Sequence, residues 1–98
     1  MRVVFSPAAR DDLLEIADYI AQDNPRRAMS FVDELEIRCT ALGGAPGIGT
    51  QRPELGAGVC AWPHGHYLIF YRTAKAVLRI ERIMHGSRDI DEDAFAAR

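Results

Sequence analysis

The stretch Tyr67-Leu68-Ile69-Phe70-Tyr71-Arg72-Thr73-Ala74-Lys75-Ala76-Val77-Leu78-Arg79-Ile80-Glu81-Arg82-Ile83-Met84-His85-Gly86-Ser87-Arg88-Asp89 decides how this chain is read. Two runs rich in β-branched and aromatic residues, 66–72 and 77–85, flank the short turn Thr73–Ala76, the pattern of adjacent antiparallel strands. A polar signature, His85-Gly86-Ser87-Arg88-Asp89, closes the stretch. Side chains alternate across a strand. Leu78, Ile80 and Met84, with Arg82 among them, therefore share one face of the last strand, and Arg79, Glu81, Ile83 and His85 share the other. The preceding strand is apolar on both sides, Leu68 and Phe70 on one, Tyr67, Ile69 and Tyr71 on the other. If helices bury the Leu-Phe-Met face, Tyr67, Ile69 and Tyr71 stand open beside Arg79 and His85. Such a face is a candidate binding surface unless the chain's own tail or long loop covers it.

The upstream residues supply those helices. Arg2–Phe5 is a short β-rich run that Ser6-Pro7 ends, with Ser at the cap and Pro at the first helical position. From Ala8 to about Gln22, Leu13, Ile16, Ala17 and Ile20 form one apolar stripe. Asp11, Asp12 and Glu15 crowd the early turns, where the helix dipole favours acids. Asn24-Pro25 repeats the start signal, and the second helix carries Ala28, Phe31, Val32, Leu35, Cys39 and Leu42 on its stripe. Gly43-Gly44 is expected to end it through the left-handed conformation. The segment 45–58 is a loop rich in glycine and proline; its glycines follow no strand and open no helix, so they form no phosphate cradle. Val59–Trp62 is a further strand that Pro63 interrupts, His64-Gly65 turns the chain, and a short acidic helix from Asp89 to Ala97, capped by Ser87 or Asp89, follows the last strand. The order β-α-α-β-β-β-(α) describes an α+β domain with a helical hairpin on a mostly antiparallel four-stranded sheet.

At 98 residues the chain is one small domain, 1–98, with ordinary globular composition, 48% hydrophobic and 27% charged. No apolar run is long enough for a membrane span, and the start MRVVFSP lacks the apolar run of a secretory signal, so a cytoplasmic protein is expected. Cys39 and Cys60 lack metal-ligand spacing and read as reduced thiols. His64 and His66 are two apart on a turn; two ligands make a weak site, so neither a metal nor a cofactor is expected. The net charge of −2 hides a division: residues 1–42 hold five basic against eight acidic side chains, whereas 43–89 hold six against three and all three histidines. A basic half suits an acidic protein partner at least as well as nucleic acid.

Four segments in order resemble the ParE/RelE superfamily of type II toxin–antitoxin toxins, in its ParE-like branch. They are Ser6-Pro7-Ala8-Ala9-Arg10-Asp11-Asp12-Leu13, then Ile16-Ala17-Asp18-Tyr19-Ile20-Ala21 with Asn24-Pro25-Arg26-Arg27-Ala28, then Tyr67–Arg72, and last Arg82-Ile83-Met84-His85-Gly86-Ser87-Arg88-Asp89. The resemblance implies a cytoplasmic toxin of the kind tied to plasmid stabilisation. It would be neutralised by a small, acidic, partly disordered antitoxin of ribbon-helix-helix type, and would touch operator DNA only through that antitoxin. It also implies DNA gyrase as the target of ParE-like members and ribosome-dependent mRNA cleavage for RelE-like ones. On the gyrase reading Arg82, His85 and Arg88 contact the target, and the face of Tyr67, Ile69, Tyr71 and Arg79 receives the antitoxin. On the nuclease reading His85 and Arg88 are the acid–base and phosphate-binding pair. Leu68 and Phe95 stand where nuclease members carry an arginine and a tyrosine, and Phe95 has no hydroxyl to move a proton, which favours gyrase. Cys60 stands where ParE-like members usually carry an arginine, so any contact made there is altered. A non-toxic co-repressor that only binds antitoxin is the third reading.

Overall fold

The computed structural model describes residues 1–95. In chain order the elements are β1 (Arg2–Phe5), α1 (Pro7–Ala21), α2 (Pro25–Leu42), β2 (Thr50–Gln51), β3 (Cys60–His64), β4 (Tyr67–Ala74) and β5 (Val77–His85), with 3-10 turns at Pro53–Leu55 and Glu92–Phe95. The strands form one sheet in the order β1-β5-β4-β3-β2, parallel between β1 and β5 and antiparallel elsewhere. The four expected strands become five, because Thr50 and Gln51 of the long loop pair with Ala61 and Cys60. Pro63 does not stop β3 but pairs with Leu68 inside it. A missing amide is tolerated there because β2 reaches only as far as Ala61 and leaves the edge at Pro63 uncovered.

Both helices begin as their sequences dictate. Ser6 Oγ accepts the Ala9 amide at 2.9 Å, and Asn24 Oδ1 accepts the Arg27 amide at 3.0 Å. The end of α2 departs from expectation: Gly43 is right-handed, with φ −61°. Its glycine answers to space instead, since a Cβ would lie 2.5 Å from Met1 O and 2.8 Å from Val3 Cγ2. The turn between β4 and β5 is tighter than expected: Thr73 and Ala74 stay in the strand, and Lys75 (φ 50°) and Ala76 (φ 64°) alone make a two-residue hairpin loop.

The decisive feature is a β-bulge. Phe70 pairs with Arg82, but the next residue, Tyr71, pairs with Ile80, so Glu81 is an extra residue in β5. The side-chain alternation of β5 reverses there. Leu78 and Ile80 before the bulge and Ile83 after it lie in the same core, with Ala9, Leu13 and Ile16 of α1, Phe31, Leu35, Cys39 and Leu42 of α2, and Ile69 and Tyr71 of β4. The expected open face is thereby corrected: Ile69 and Tyr71 are fully buried under the helices. Leu68, Phe70 and Met84 look the other way, where Leu55, Val59, Ala61 and Phe95 build a second core. The loop and the tail cover that far face, and the Phe95 ring meets the Phe70 ring edge-on at 5.1 Å.

The tail is a 3-10 turn and not the expected α-helix from Asp89; its cap is Asp91, whose Oδ1 accepts the Asp93 amide at 3.0 Å. The expected helix end at Ala97 lies outside the described residues. Among the described residues no helix is long and apolar enough to cross a membrane.

Candidate functional site

β1 ends at Phe5, opposite Ile80, and β5 runs on to His85 with that edge unpartnered by any strand among the described residues. The first turns of α1 seal part of that edge. Ser6 donates its amide to Ile80 O at 2.9 Å and its hydroxyl to Glu81 O at 2.7 Å. Asp12 accepts the Ile83 amide at 2.9 Å and both Arg82 Nε and a terminal guanidinium nitrogen at 2.8 Å. Asp12 is thus not the exposed dipole partner that its place in the first turns implied; it is buried. The hydrogen bond to Asp12 is also the main reason the Arg82 pKa lies above its ordinary value.

Beyond the clamp lies a cleft of about 790 Å³, walled by α1, the start of α2, and the ends of β4 and β5. Tyr19, Phe31, Tyr67, His66, His85 and Arg88 line it over an apolar floor of Ile16, Ile20 and Ile83. The aromatic rings form a chain. Phe31 lies 5.5 Å from Tyr67, Tyr67 meets His85 edge-on at 5.2 Å, and His85 lies nearly parallel to His66 at 6.0 Å. Burial, and next the nearby Tyr19 hydroxyl, raise the Tyr67 phenol above its ordinary pKa. His85 Nδ1 accepts the Ser87 amide at 3.1 Å and lies 2.7 Å from the Ser87 hydroxyl, which leaves the neutral ring's proton on Nε2. Arg27 stacks on Phe31 and is paired with Glu34 at the rim. Its hydrogen bond, ahead of all other causes, lowers the Glu34 pKa.

Of the residues expected to contact a target, His85 and Arg88 share this cleft, but Arg82 does not: its guanidinium is turned to Asp12. Of the four expected to receive an antitoxin, only Tyr67 lines the cleft. Arg79 is elsewhere, in a smaller cleft of about 400 Å³ at the bulge. There it faces Arg72 across the ladder, and Glu81 bridges the two like charges at 2.6 and 3.1 Å. His64 and His66 do not converge, because His64 packs on Phe31 with its Nε2 3.6 Å from Glu34. Sequence reasoning missed Asp12, Tyr19 and His66. A signal existed for Asp12: with Ile16 and Ile20 it repeats every four residues, which places it on the buried stripe.

The family model described as ParE toxin of type II toxin-antitoxin system, parDE, matches residues 3–90. No curated protein sequence matches this chain closely enough to count as a relative. Among solved structures, a chain of the chromosomal ParDE TA system from P. aeruginosa is similar at 23% identity, with a TM-score of 0.75 over 87% of this chain and 95% of that one. A chain of the RelBE2 toxin-antitoxin complex from Mycobacterium tuberculosis is similar at 24% identity, with a TM-score of 0.55 over 86% and 95%. At these identities the likeness speaks for the fold: two helices packed on a mixed sheet.

Proposed function

Because this chain belongs to the family of ParE toxins of type II toxin–antitoxin systems, we propose that it is the toxin of such a module, acts in the cytoplasm on DNA gyrase, and is held inactive by a cognate antitoxin. The observation that carries this reading is the make-up of the cleft. Aromatic and aliphatic walls with Arg88 and His85 at the mouth suit recognition of a protein segment with apolar anchors and acidic flanks. An acidic, partly disordered antitoxin gains most from such a surface, since the order it loses on binding is offset by the area it covers.

The nuclease reading is less well supported. Phe95, in the place of the nuclease members' tyrosine, is buried against Phe70 in the second core, on the far side of the sheet from the His85 cleft. His85 itself holds Nδ1 against Ser87.

Purified protein should inhibit supercoiling by gyrase, and the variants Tyr19→Ala and Arg88→Ala should inhibit less while melting at the same temperature. Full supercoiling activity at saturating wild-type protein would remove gyrase as the target. Message cleavage in translating extracts, with gyrase untouched, would establish the nuclease reading instead.

A further inference from the structure

The edge of β5 beside α1 is filled by side chains up to the Ile83 amide and open beyond it. A strand residue turns its amide and its carbonyl to the same side. Ile83 donates its amide to Asp12, so its carbonyl faces that edge too, and so does His85, the next residue but one. Met84 and Gly86 turn to the β4 side, where Gly86 donates to His66 O at 2.8 Å. His85 O accepts the Arg88 amide at 3.1 Å. Ile83 O and His85 N have no partner among the described residues. Both open onto the cleft: Met84 lines it although its side chain belongs to the second core, so what Met84 contributes to the wall is the strand edge.

The groups left over fix a direction. β1 runs parallel to β5 and its register ends at Phe5 opposite Ile80. Past that point Ser6 donates to Ile80 O and Glu81 O, and the Asp12 carboxylate takes the Ile83 amide, together standing in for a further parallel residue. In a parallel ladder each residue donates to the carbonyl before its opposite number and accepts from the amide after it. One parallel residue opposite Met84 therefore satisfies Ile83 O and His85 N together. An antiparallel segment would bring a carbonyl to the Ile83 amide, where the Asp12 carboxylate sits.

We propose that the cleft takes an extended segment of a protein partner as a short parallel strand added to β5, in line with β1. The residue opposite Met84 points to the far face, and its two neighbours point to the helix side, over Ile16, Ile20 and Tyr67. Those two neighbours are apolar. The segment then leaves past Arg88, which makes no ion pair among the described residues, so its continuation is acidic. Glu15 lies near Arg82 at the entry end, where an acid would be repelled. The inference rests on the reading of the cleft as a protein-docking site, and adds the conformation, direction and side-chain pattern of what docks.

The test titrates the acetylated, amidated peptide Val-Thr-Val-Thr-Glu-Glu into the isotope-labelled whole chain, read by NMR. Binding is expected to shift the Ile83, His85 and Ser87 amides and to slow hydrogen exchange at the His85 amide. N-methylation of the first threonine, the donor to Ile83 O, should weaken binding about tenfold, whereas N-methylation of the second valine, whose amide faces away from β5, should change it less than about twofold. A spin label at the peptide's carboxyl end should broaden the Arg88 signals and spare Asp12, and one at its amino end should do the reverse. Equal effects of the two methyl groups, labels in the opposite order, or no shift at these amides with millimolar peptide would each overturn the proposal. Gyrase plays no part in this measurement. Any of those results, with Tyr19→Ala still weakening gyrase inhibition, removes only the added strand; the expected results in a chain without effect on gyrase remove only the target.

Discussion

The guanidinium of Arg82 holds the carboxylate of Asp12 through two hydrogen bonds of 2.8 Å, tying the first turns of α1 to β5 just beyond the bulge. The same carboxylate accepts the Ile83 amide at 2.9 Å, so a side chain does the work of a missing strand partner. This arrangement fixes the strand two residues before His85, where the cleft begins.

Loss of the clamp should be costly, because both side chains are largely shielded, with 5% of Asp12 and 17% of Arg82 exposed. Asp12→Ala leaves a shielded guanidinium and a buried amide without partners, for an expected loss of about 3–5 kcal/mol in urea unfolding. Removing both charges with Asp12→Leu and Arg82→Met should recover a large part of that loss. Equal stability of the single variant and the wild type would contradict the clamp.

Tyr71 should report on the long loop. Its buried hydroxyl donates to Pro46 O at 2.8 Å and accepts the Gly49 amide at 2.9 Å, pinning the loop ahead of β2. Tyr71→Phe removes both bonds without changing the packed ring. We expect a loss of about 1–3 kcal/mol and faster hydrogen exchange at the Gly49 amide. Unchanged exchange there would show that the loop is held by something else.

The two glycines after α2 should respond differently. A Cβ at Gly43 meets Met1 O and Val3 Cγ2 at 2.5 and 2.8 Å, whereas one at Gly44 meets only Ala41 O at 3.6 Å. Gly43→Ala should destabilise by about 1–3 kcal/mol as β1 is pushed aside. Gly44→Ala should stay within about 0.5 kcal/mol of wild type. Thermal melts of the pair separate close approach from conformational preference.

The thiols should also separate. Burial, and next the charge of Glu36, push Cys39 up from 9.0 to about 12, while Cys60 is partly exposed. Native protein at mildly alkaline pH should label at Cys60 and spare Cys39 until it unfolds. The raised value makes the thiol form of the folded state the favoured one. The associated stability is complete below 9.0 and declines as pH rises from there toward about 12. Cys39→Ala should flatten that alkaline decline, and an unchanged pH profile would remove Cys39 as its source.

Much of the fold was legible because its signals are local. Ser6-Pro7 and Asn24-Pro25 start helices through hydrogen bonds within one turn, and the stripes from Leu13 to Ile20 and from Ala28 to Leu42 mark the faces that pack. The candidate site was only half legible. His85 and Arg88 stood out as a polar cluster on a strand end, but Asp12 looked like any acid in a first turn, and His66 gained a partner only across the hairpin.

The sequence by itself determined the helical hairpin, the β4–β5 pair and membership of the ParE toxin family. Which side of the sheet those strands turn to the helices was decided by tertiary structure. Alternation assumes an unbroken ladder, and the single extra residue Glu81 reverses it between Ile80 and Ile83. An extra residue leaves no mark in a sequence, because only the partner strand can show that Glu81 has no one opposite it. The bulge therefore buries Ile69 and Tyr71, turns Phe70 and Met84 to a second core, and places His85 beside Tyr67 in the cleft.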